Sequence, residues 1–180
     1  MRRLLKLLLS TGLALILGAC QIQPSKLLVT AKYVDLIRYQ GVWYEIAAFP
    51  NRFQKNCQCT TARYTLIKNQ IRVMNQCYRN KAWSKIRGIA WVVDKKSQSK
   101  LKVRFFWPLT GNYWILYVSN DYRYALVTTP DRNYLWILAR KAIISAFEYQ
   151  KLVAIAASAG LNVHRLKKTA QDCYTANSKP

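Results

Sequence analysis

The sequence predicts an all-β domain, an eight-stranded antiparallel up-and-down barrel with one C-terminal α-helix packed outside. Eight short strand-like runs separated by turn residues follow one another between residues 41 and 139, the spacing of a sandwich or barrel. One amphipathic helix pattern comes after them, from residue 145 onward. The length of 180 residues and the apolar content of 52% suffice for one domain with a hydrophobic core.

The strand runs are defined by alternation and by the turns between them. Lys102 and Arg104 alternate with apolar side chains, as in a strand with one buried face. Lys68-Asn69-Gln70 predicts a hairpin turn, and Gly88 marks a bend or bulge. The predicted strands span residues 41–49, 60–66, 71–78, 82–93, 101–107, 113–119, 124–129 and 134–139.

The predicted helix has recognisable signals at both ends. Ser145 and Glu148 form a capping box, and Gly160 supplies the C-terminal stop. An apolar stripe is expected to face the outside of the barrel; it contains Ile144, Phe147, Leu152, Ile155, Ala156 and Ala159. A final short strand is expected around Leu161 to His164.

The N-terminus has the parts of a secretory signal peptide. Basic residues at positions 2, 3 and 6 precede an apolar segment at 7–17, and the segment ends in Leu17-Gly18-Ala19-Cys20. This ending resembles the lipobox of bacterial lipoproteins, which implies cleavage before Cys20 and acylation of that residue. Gln21 resembles the residue that sorts such proteins to the outer membrane.

These features predict the organisation of the chain. We expect a signal peptide at 1–19, a lipidated Cys20 with a tether to residue 32, the barrel domain at 33–173 and a tail at 174–180. The expected location is the cell outer membrane, where two or three acyl chains anchor the protein with its domain facing the periplasm.

Composition excludes several kinds of chemistry. The chain has 29 Lys and Arg but 7 Asp and Glu, a net charge of +22, and His164 is its one histidine. Paired-carboxylate catalysis, a Ser-His-Asp triad and a histidine metal site therefore lack candidates. The positive charge favours anionic partners, such as an acidic lipid surface or nucleic acid. Export makes nucleic acid an unsuitable partner, and we expect neither a metal nor a cofactor.

Four cysteines remain after Cys20, namely Cys57, Cys59, Cys77 and Cys173. An even count in an oxidising compartment predicts two disulfides. Sequence alone leaves all three pairings open. A zinc site is the competing interpretation, although the spacing is poor for it.

Three ordered motifs stand at residues 41–46, 120–122 and 135–140. They resemble those of the lipocalins, particularly bacterial outer-membrane lipoproteins and apolipoprotein D. Gly41-Val42-Trp43-Tyr44-Glu45-Ile46 is similar to their opening motif. Asn120-Asp121-Tyr122 is similar to the second, with Asn120 in place of Thr, and Leu135-Trp136-Ile137-Leu138-Ala139-Arg140 to the third. The stretch 129–134 resembles the bacterial members, and the whole resemblance covers about residues 33–173.

The resemblance implies structural roles for the motif residues Gly41, Trp43, Asp121, Tyr122 and Arg140. Trp43 would close the barrel floor, with Arg140 lying across its indole as a cation–π partner. It also implies the disulfides Cys57–Cys77 and Cys59–Cys173, with the exchanged pairing as the alternative.

A ligand site is implied inside the barrel. Asn75 would be a polar position of this site. The apolar positions that would line it alternate along two strands and are Val103, Phe105, Trp107, Trp136 and Leu138. Arg87 stands where relatives carry Glu, and it would bind an anionic headgroup if it reached the mouth. The alternative is a solvated surface arginine.

The expected function is storage or transport of a small hydrophobic ligand, a fatty acid or lysophospholipid, in envelope maintenance or stress. A lipid-modifying enzyme on the same scaffold is the alternative, with Glu45 as the first candidate for a base. The sequence predicts no enzyme, and it leaves the oligomeric state open.

Overall fold

The computed structural model describes residues 27–173. The predicted signal peptide, the lipidation site Cys20 and the tail at 174–180 lie outside the described residues. The strands are β1 Gly41–Ala48, β2 Gln58–Ile67, β3 Gln70–Arg79, β4 Ala82–Val92, β5 Lys100–Phe106, β6 Leu109–Val118, β7 Tyr124–Thr128, β8 Leu135–Ala139 and β9 Lys167–Lys168. The helices are α1 Leu36–Tyr39 and α2 Ala146–Ser158, with short 3-10 helices at Arg52–Gln54 and Val163–Arg165.

The first eight strands form a closed antiparallel barrel, which confirms the predicted fold class. Consecutive strands from β1 to β8 pair with one another. β1 closes the ring, because Trp43 pairs with Ala62 of β2 while Glu45 pairs with Leu138 of β8. β9 adds two residues beside Ala47 and Ala48.

Several expected element bounds are wrong; the sixth strand, for example, begins at Leu109 and not at 113. Leu161 to His164 do not form a strand, because Val163–Arg165 is a 3-10 turn and the short strand comes later, at β9. The run predicted to reach Trp107 ends at Phe106, where the chain turns into β6. Sequence reasoning also missed α1, a single turn capped by the Asp35 side chain.

Strand direction divides the barrel into two ends. What we call the closed end carries α1 and the loops at residues 68–69, 93–99 and 119–123, together with Arg140. The open end carries the loops at 49–57, 80–81, 107–108 and 129–134.

Helix α2 packs on the outer wall as predicted. The Ser145 hydroxyl accepts a hydrogen bond from the Glu148 amide at 3.1 Å, and the helix stops before Gly160, whose φ is +81°. Leu152 and Ala156 are buried against the barrel, whereas Phe147 of the predicted stripe is exposed. No helix within residues 27–173 is long and apolar enough to cross a bilayer.

Candidate ligand-binding site

The floor of the barrel is built by Trp43 and Arg140. Trp43 is fully buried, and its indole N–H donates to the Tyr39 carbonyl at 2.8 Å. The Arg140 guanidinium carbon lies 3.8 Å from the centroid of the Trp43 ring. The guanidinium also donates to the carbonyls of Val42 (2.9 Å), Arg38 (2.8 Å) and Tyr122 (3.2 Å). One cation therefore ties α1, β1 and the β6–β7 loop together beneath the interior.

The other motif residues shape this end. Gly41 has φ +94°, and a Cβ there would lie 3.3 Å from Arg140 Nη1, so glycine suits both the backbone and the close approach. Asp121 accepts hydrogen bonds from the Ser119 hydroxyl and from Arg123, which hold the pKa of its carboxyl well below the ordinary value. The Tyr122 hydroxyl accepts from the Asp35 amide at 2.7 Å.

Three tyrosine hydroxyls meet close to the floor. The Tyr113 oxygen lies 2.8 Å from those of both Tyr39 and Tyr64. Burial raises the pKa of each phenol, so the cluster is neutral at physiological pH. Sequence reasoning missed this cluster. Tyr113 lies two residues before Ile115 on its predicted strand, so the two side chains face the same side, and this alternation was the signal that could have found it.

The interior wall above the floor is partly accessible. Strand pairing places Ala62, Asn75 and Ile86 in one inward-facing row that starts at Trp43. Predicted site residues Val103, Phe105, Trp136 and Leu138 pack in the same interior cluster. Trp43 and Leu138 are buried. Partial exposure is retained by Ala62, Asn75, Ile86, Val103, Phe105 and Trp136. A solidly packed core leaves no such accessible surface.

A hydrogen-bond network fixes Trp136 near the open end. Its indole N–H donates to Gln54 Oε1 at 2.9 Å, and the Gln54 amide in turn donates to Glu45. The Thr169 hydroxyl donates to the second Glu45 oxygen at 2.6 Å. Burial raises the pKa of Glu45, partly offset by the hydrogen bonds from Thr169 and Gln54. With both oxygens accepting from the protein, Glu45 has the surroundings of a structural carboxylate.

Two residues of the predicted ligand site lie away from the interior wall. Arg87 pairs with Met74, one residue out of phase with the interior pair Val73 and Gly88, so it lies on the outer wall and is exposed. Trp107 has the expected parity, but it lies in the β5–β6 turn beyond the last β5 residue and is exposed.

Both disulfides implied by the resemblance are present. Cys57–Cys77 has a sequence separation of 20, and Cys59–Cys173 a separation of 114. The second bridge holds the chain that follows β9 against the start of β2, where the Cys59 amide also donates to the Ala170 carbonyl at 2.7 Å.

Gly88→Ala is expected to lower the free energy of unfolding by about 2 kcal/mol through overpacking. A Cβ at Gly88 would lie 2.6 Å from the Arg104 carbonyl oxygen and 2.7 Å from the Phe105 ring. The glycine thus serves close packing of Phe105, and β3–β4 pairing at Gly88 runs without the bulge that the sequence allowed. Urea denaturation measures the effect, with Gly111→Ala as the control, because a Cβ at Gly111 meets only Val103 at 3.7 Å. Equal stability of the two variants would contradict this packing.

Glu45→Gln is expected to raise the free energy of unfolding at pH 7, because the neutral amide removes a buried negative charge. The folded-state pKa of Glu45 is raised, so its stabilising contribution is complete below the unfolded-state pKa and declines as pH rises through the folded-state pKa. The gain should therefore shrink as pH falls toward 4. Measurement of the free energy of unfolding between pH 7 and pH 4 tests this expectation, with Glu148→Gln as the control. A gain in stability that does not change with pH would contradict burial of the Glu45 charge as its cause.

The geometry now defines a class of protein. A closed antiparallel barrel of eight strands, plugged at one end and lined by apolar side chains, is a scaffold of the size that encloses one small molecule. A family model described as "Lipocalin-like domain" matches residues 34–171. The chain belongs to the lipocalin family.

Similar proteins come from plants, bacteria and animals. Temperature-induced lipocalin-1 of Arabidopsis thaliana is 43% identical over 150 residues, 78% of this chain and 81% of that protein. Outer membrane lipoprotein Blc of Citrobacter freundii is 38% identical and covers 91% of this chain and 95% of its own. Apolipoprotein D of Macaca fascicularis is 34% identical over 92% of this chain and 95% of its own.

Solved structures share the fold. Insecticyanin from the tobacco hornworm Manduca sexta superposes with a TM-score of 0.65 at 20% identity, covering 79% of this chain and 83% of its own. Apocrustacyanin C2 gives a TM-score of 0.63 at 19% identity, covering 83% of this chain and 93% of its own.

Proposed function

We propose that this protein is a non-enzymatic carrier that stores or transports a fatty acid or lysophospholipid inside its barrel. The observation that carries the proposal is the partly accessible apolar wall above a sealed floor, formed by Val103, Phe105 and Trp136. An acyl chain entering from the open end would replace water along that wall, at a gain of about 0.8 kcal/mol per buried methylene. Membership of the lipocalin family supports binding of a small hydrophobic ligand.

Asn75 supports a ligand with a hydrogen-bond donor. Its Oδ1 atom is buried and accepts no hydrogen bond within the described residues. Buried polar atoms normally have a partner, so this oxygen is suited to a ligand hydroxyl. A lysophospholipid carries such a hydroxyl on its glycerol, whereas an ionised fatty acid has none.

We place the carrier at the outer membrane, anchored through acylated Cys20 and facing the periplasm, where it would act in envelope maintenance or stress. The leader at 1–19 and the tether from Cys20 to residue 32 support an anchored domain at 33–173. The name "Outer membrane lipoprotein Blc", carried by relatives in Citrobacter freundii and Escherichia coli, supports the same location.

The test compares two adjacent residues on opposite faces of β4. Ile86 faces the interior opposite Asn75, whereas Arg87 faces outward opposite Met74. Ile86→Trp should weaken binding of a fluorescent fatty acid and of lysophosphatidylglycerol by about tenfold or more, because the larger ring fills the accessible space. Arg87→Trp should leave both affinities unchanged. Thermal denaturation of each variant confirms that both are folded.

Mass spectrometry of lipids that copurify with the protein identifies the natural ligand class. Single-chain amphiphiles are expected with the parent protein and with Arg87→Trp, and are expected to be lost with Ile86→Trp. Failure of all three proteins to bind any acyl ligand would overturn the carrier proposal, and so would equal binding by a folded Ile86→Trp variant.

A further inference from the structure

Large apolar side chains are exposed on the open end of the barrel. We call the loops at residues 50–57, 79–83 and 106–109 the rim. Phe53 is 63% exposed, Phe106 65%, Trp107 83% and Leu109 72%. Exposed apolar side chains gathered on one side of a soluble domain mark an interaction surface.

The rim is also basic and carries no acidic residue. The rim loops contain four Lys and Arg and neither Asp nor Glu. Arg52, Lys55, Arg79 and Lys81 of the rim are all exposed. The salt bridge found within residues 27–173 joins Arg123 to Asp121, at the closed end of the barrel.

Other exposed apolar residues lack this setting. Ile37 and Val93 at the closed end lie beside Asp35 and Asp94, and Phe147 projects from α2 beside Glu148. The rim thus combines several exposed apolar side chains with exposed basic side chains.

The order of strands places apolar and basic loops alternately around half of the mouth. Sheet order runs from β1 through β2 to β6, so the β3–β4 hairpin with Arg79 and Lys81 lies between the loop that carries Phe53 and the hairpin that carries Trp107. Aromatic rings and basic side chains at one level are the pattern of groups that sit at a lipid–water interface.

We propose that the rim docks on the surface of an anionic lipid bilayer, with the mouth of the barrel facing the membrane. Phe53, Trp107 and Leu109 would enter the headgroup region, while Arg79 and Lys81 would contact lipid phosphates. A lipid surface fits better than a folded acidic protein, because the apolar side chains stand on two separate loops at the mouth of the barrel, with a basic hairpin between them. This orientation would let an acyl chain pass between bilayer and barrel without crossing water, a consequence that rests on the proposed carrier function.

Vesicle flotation of the whole chain tests the docking. All variants carry Cys20→Ser, so no acyl anchor contributes and any effect of the leader is constant. The parent should bind phosphatidylglycerol–phosphatidylcholine vesicles more tightly than phosphatidylcholine vesicles, and added salt should weaken the binding. The triple variant Phe53→Ser, Trp107→Ser and Leu109→Ser should bind about tenfold more weakly. The double variant Ile143→Ser and Phe147→Ser removes comparably exposed side chains elsewhere and should bind like the parent.

A matched pair of hairpin lysines tests the charge. Lys81 lies at the open-end tip between β3 and β4, and Lys68 lies at the closed-end tip between β2 and β3; both have positive φ and are exposed. Lys81→Glu should weaken binding to the anionic vesicles by about tenfold, whereas Lys68→Glu should not, although both change the net charge equally. Equal losses in the two variants would overturn a directed orientation, and so would vesicle binding unaffected by the rim substitutions.

The docking and carrier proposals fail independently. Binding of a fluorescent fatty acid in solution, without vesicles, should be the same in the parent and in every rim variant. Vesicle docking without acyl binding would support the docking proposal and contradict the carrier proposal. Acyl binding without vesicle docking would support the carrier proposal and contradict the docking proposal.

Discussion

Replacing Cys59 and Cys173 together by alanine is expected to lower the free energy of unfolding by about 5 kcal/mol, the chain-entropy estimate for a bridge of this span. The disulfide has a sequence separation of 114, so it closes most of the barrel into one loop. Without it, the C-terminal segment would keep β9 pairing and the Gln171 side-chain bonds to the Glu45 and Thr60 carbonyls, at 2.8 and 3.2 Å.

Urea denaturation of the double variant measures this loss. The comparison is the double variant of Cys57 and Cys77, whose bridge has a separation of 20 and should contribute about 3 kcal/mol by the same relation. A larger loss of unfolding free energy on removal of the short bridge than of the long one would contradict the entropic account. It would indicate that local packing around each bridge determines its contribution to stability.

Arg140→Ala is expected to lower the free energy of unfolding by about 3 kcal/mol, since three carbonyls lose a charged donor and the Trp43 ring loses its cation. The three acceptors, on Arg38, Val42 and Tyr122, lie on different segments around the floor. The closed end should loosen as a unit, which would appear as faster amide hydrogen exchange in α1 and at the start of β1.

Arg140→Lys separates the two contributions. An ammonium can still approach the Trp43 ring, but it does not reproduce the planar fork that reaches three carbonyls, so most of the loss should persist. Arg104→Ala serves as the control, because Arg104 lies 5.7 Å from the Trp91 ring centroid on the outer wall and its loss should cost less than about 0.5 kcal/mol. A fully stable Arg140→Lys variant would mean that charge alone holds the floor.

Much of the fold could be predicted because strand alternation and turn chemistry are local properties. The hairpin at Lys68 and Asn69, the helix start at Ser145 and its stop at Gly160 each depend on a few neighbouring residues. Parity along a strand also placed Phe105, Trp136 and Leu138 on the interior side. For Arg87 the same parity, taken from Ile86, Gly88 and Ala90, would have indicated the outer wall.

The parts of the site that could not be predicted depend on segments far apart in the chain. Gln54 lies in a loop without periodic pattern, yet it links Trp136 to Glu45 across the open end. Trp107 follows the alternation of its strand, but the strand ends one residue earlier because β6 begins to pair at Leu109.

The sequence by itself determined the barrel class, the motif residues of the floor and the two faces of most strands, because each follows from a repeat or motif within a short stretch. Only the tertiary structure decided which side chains meet inside the barrel, and that the apolar side chains of the β5–β6 turn project outward beside basic hairpin residues. Ring closure through β1 and β2 brings residues together that are many positions apart, and no local pattern contains that information.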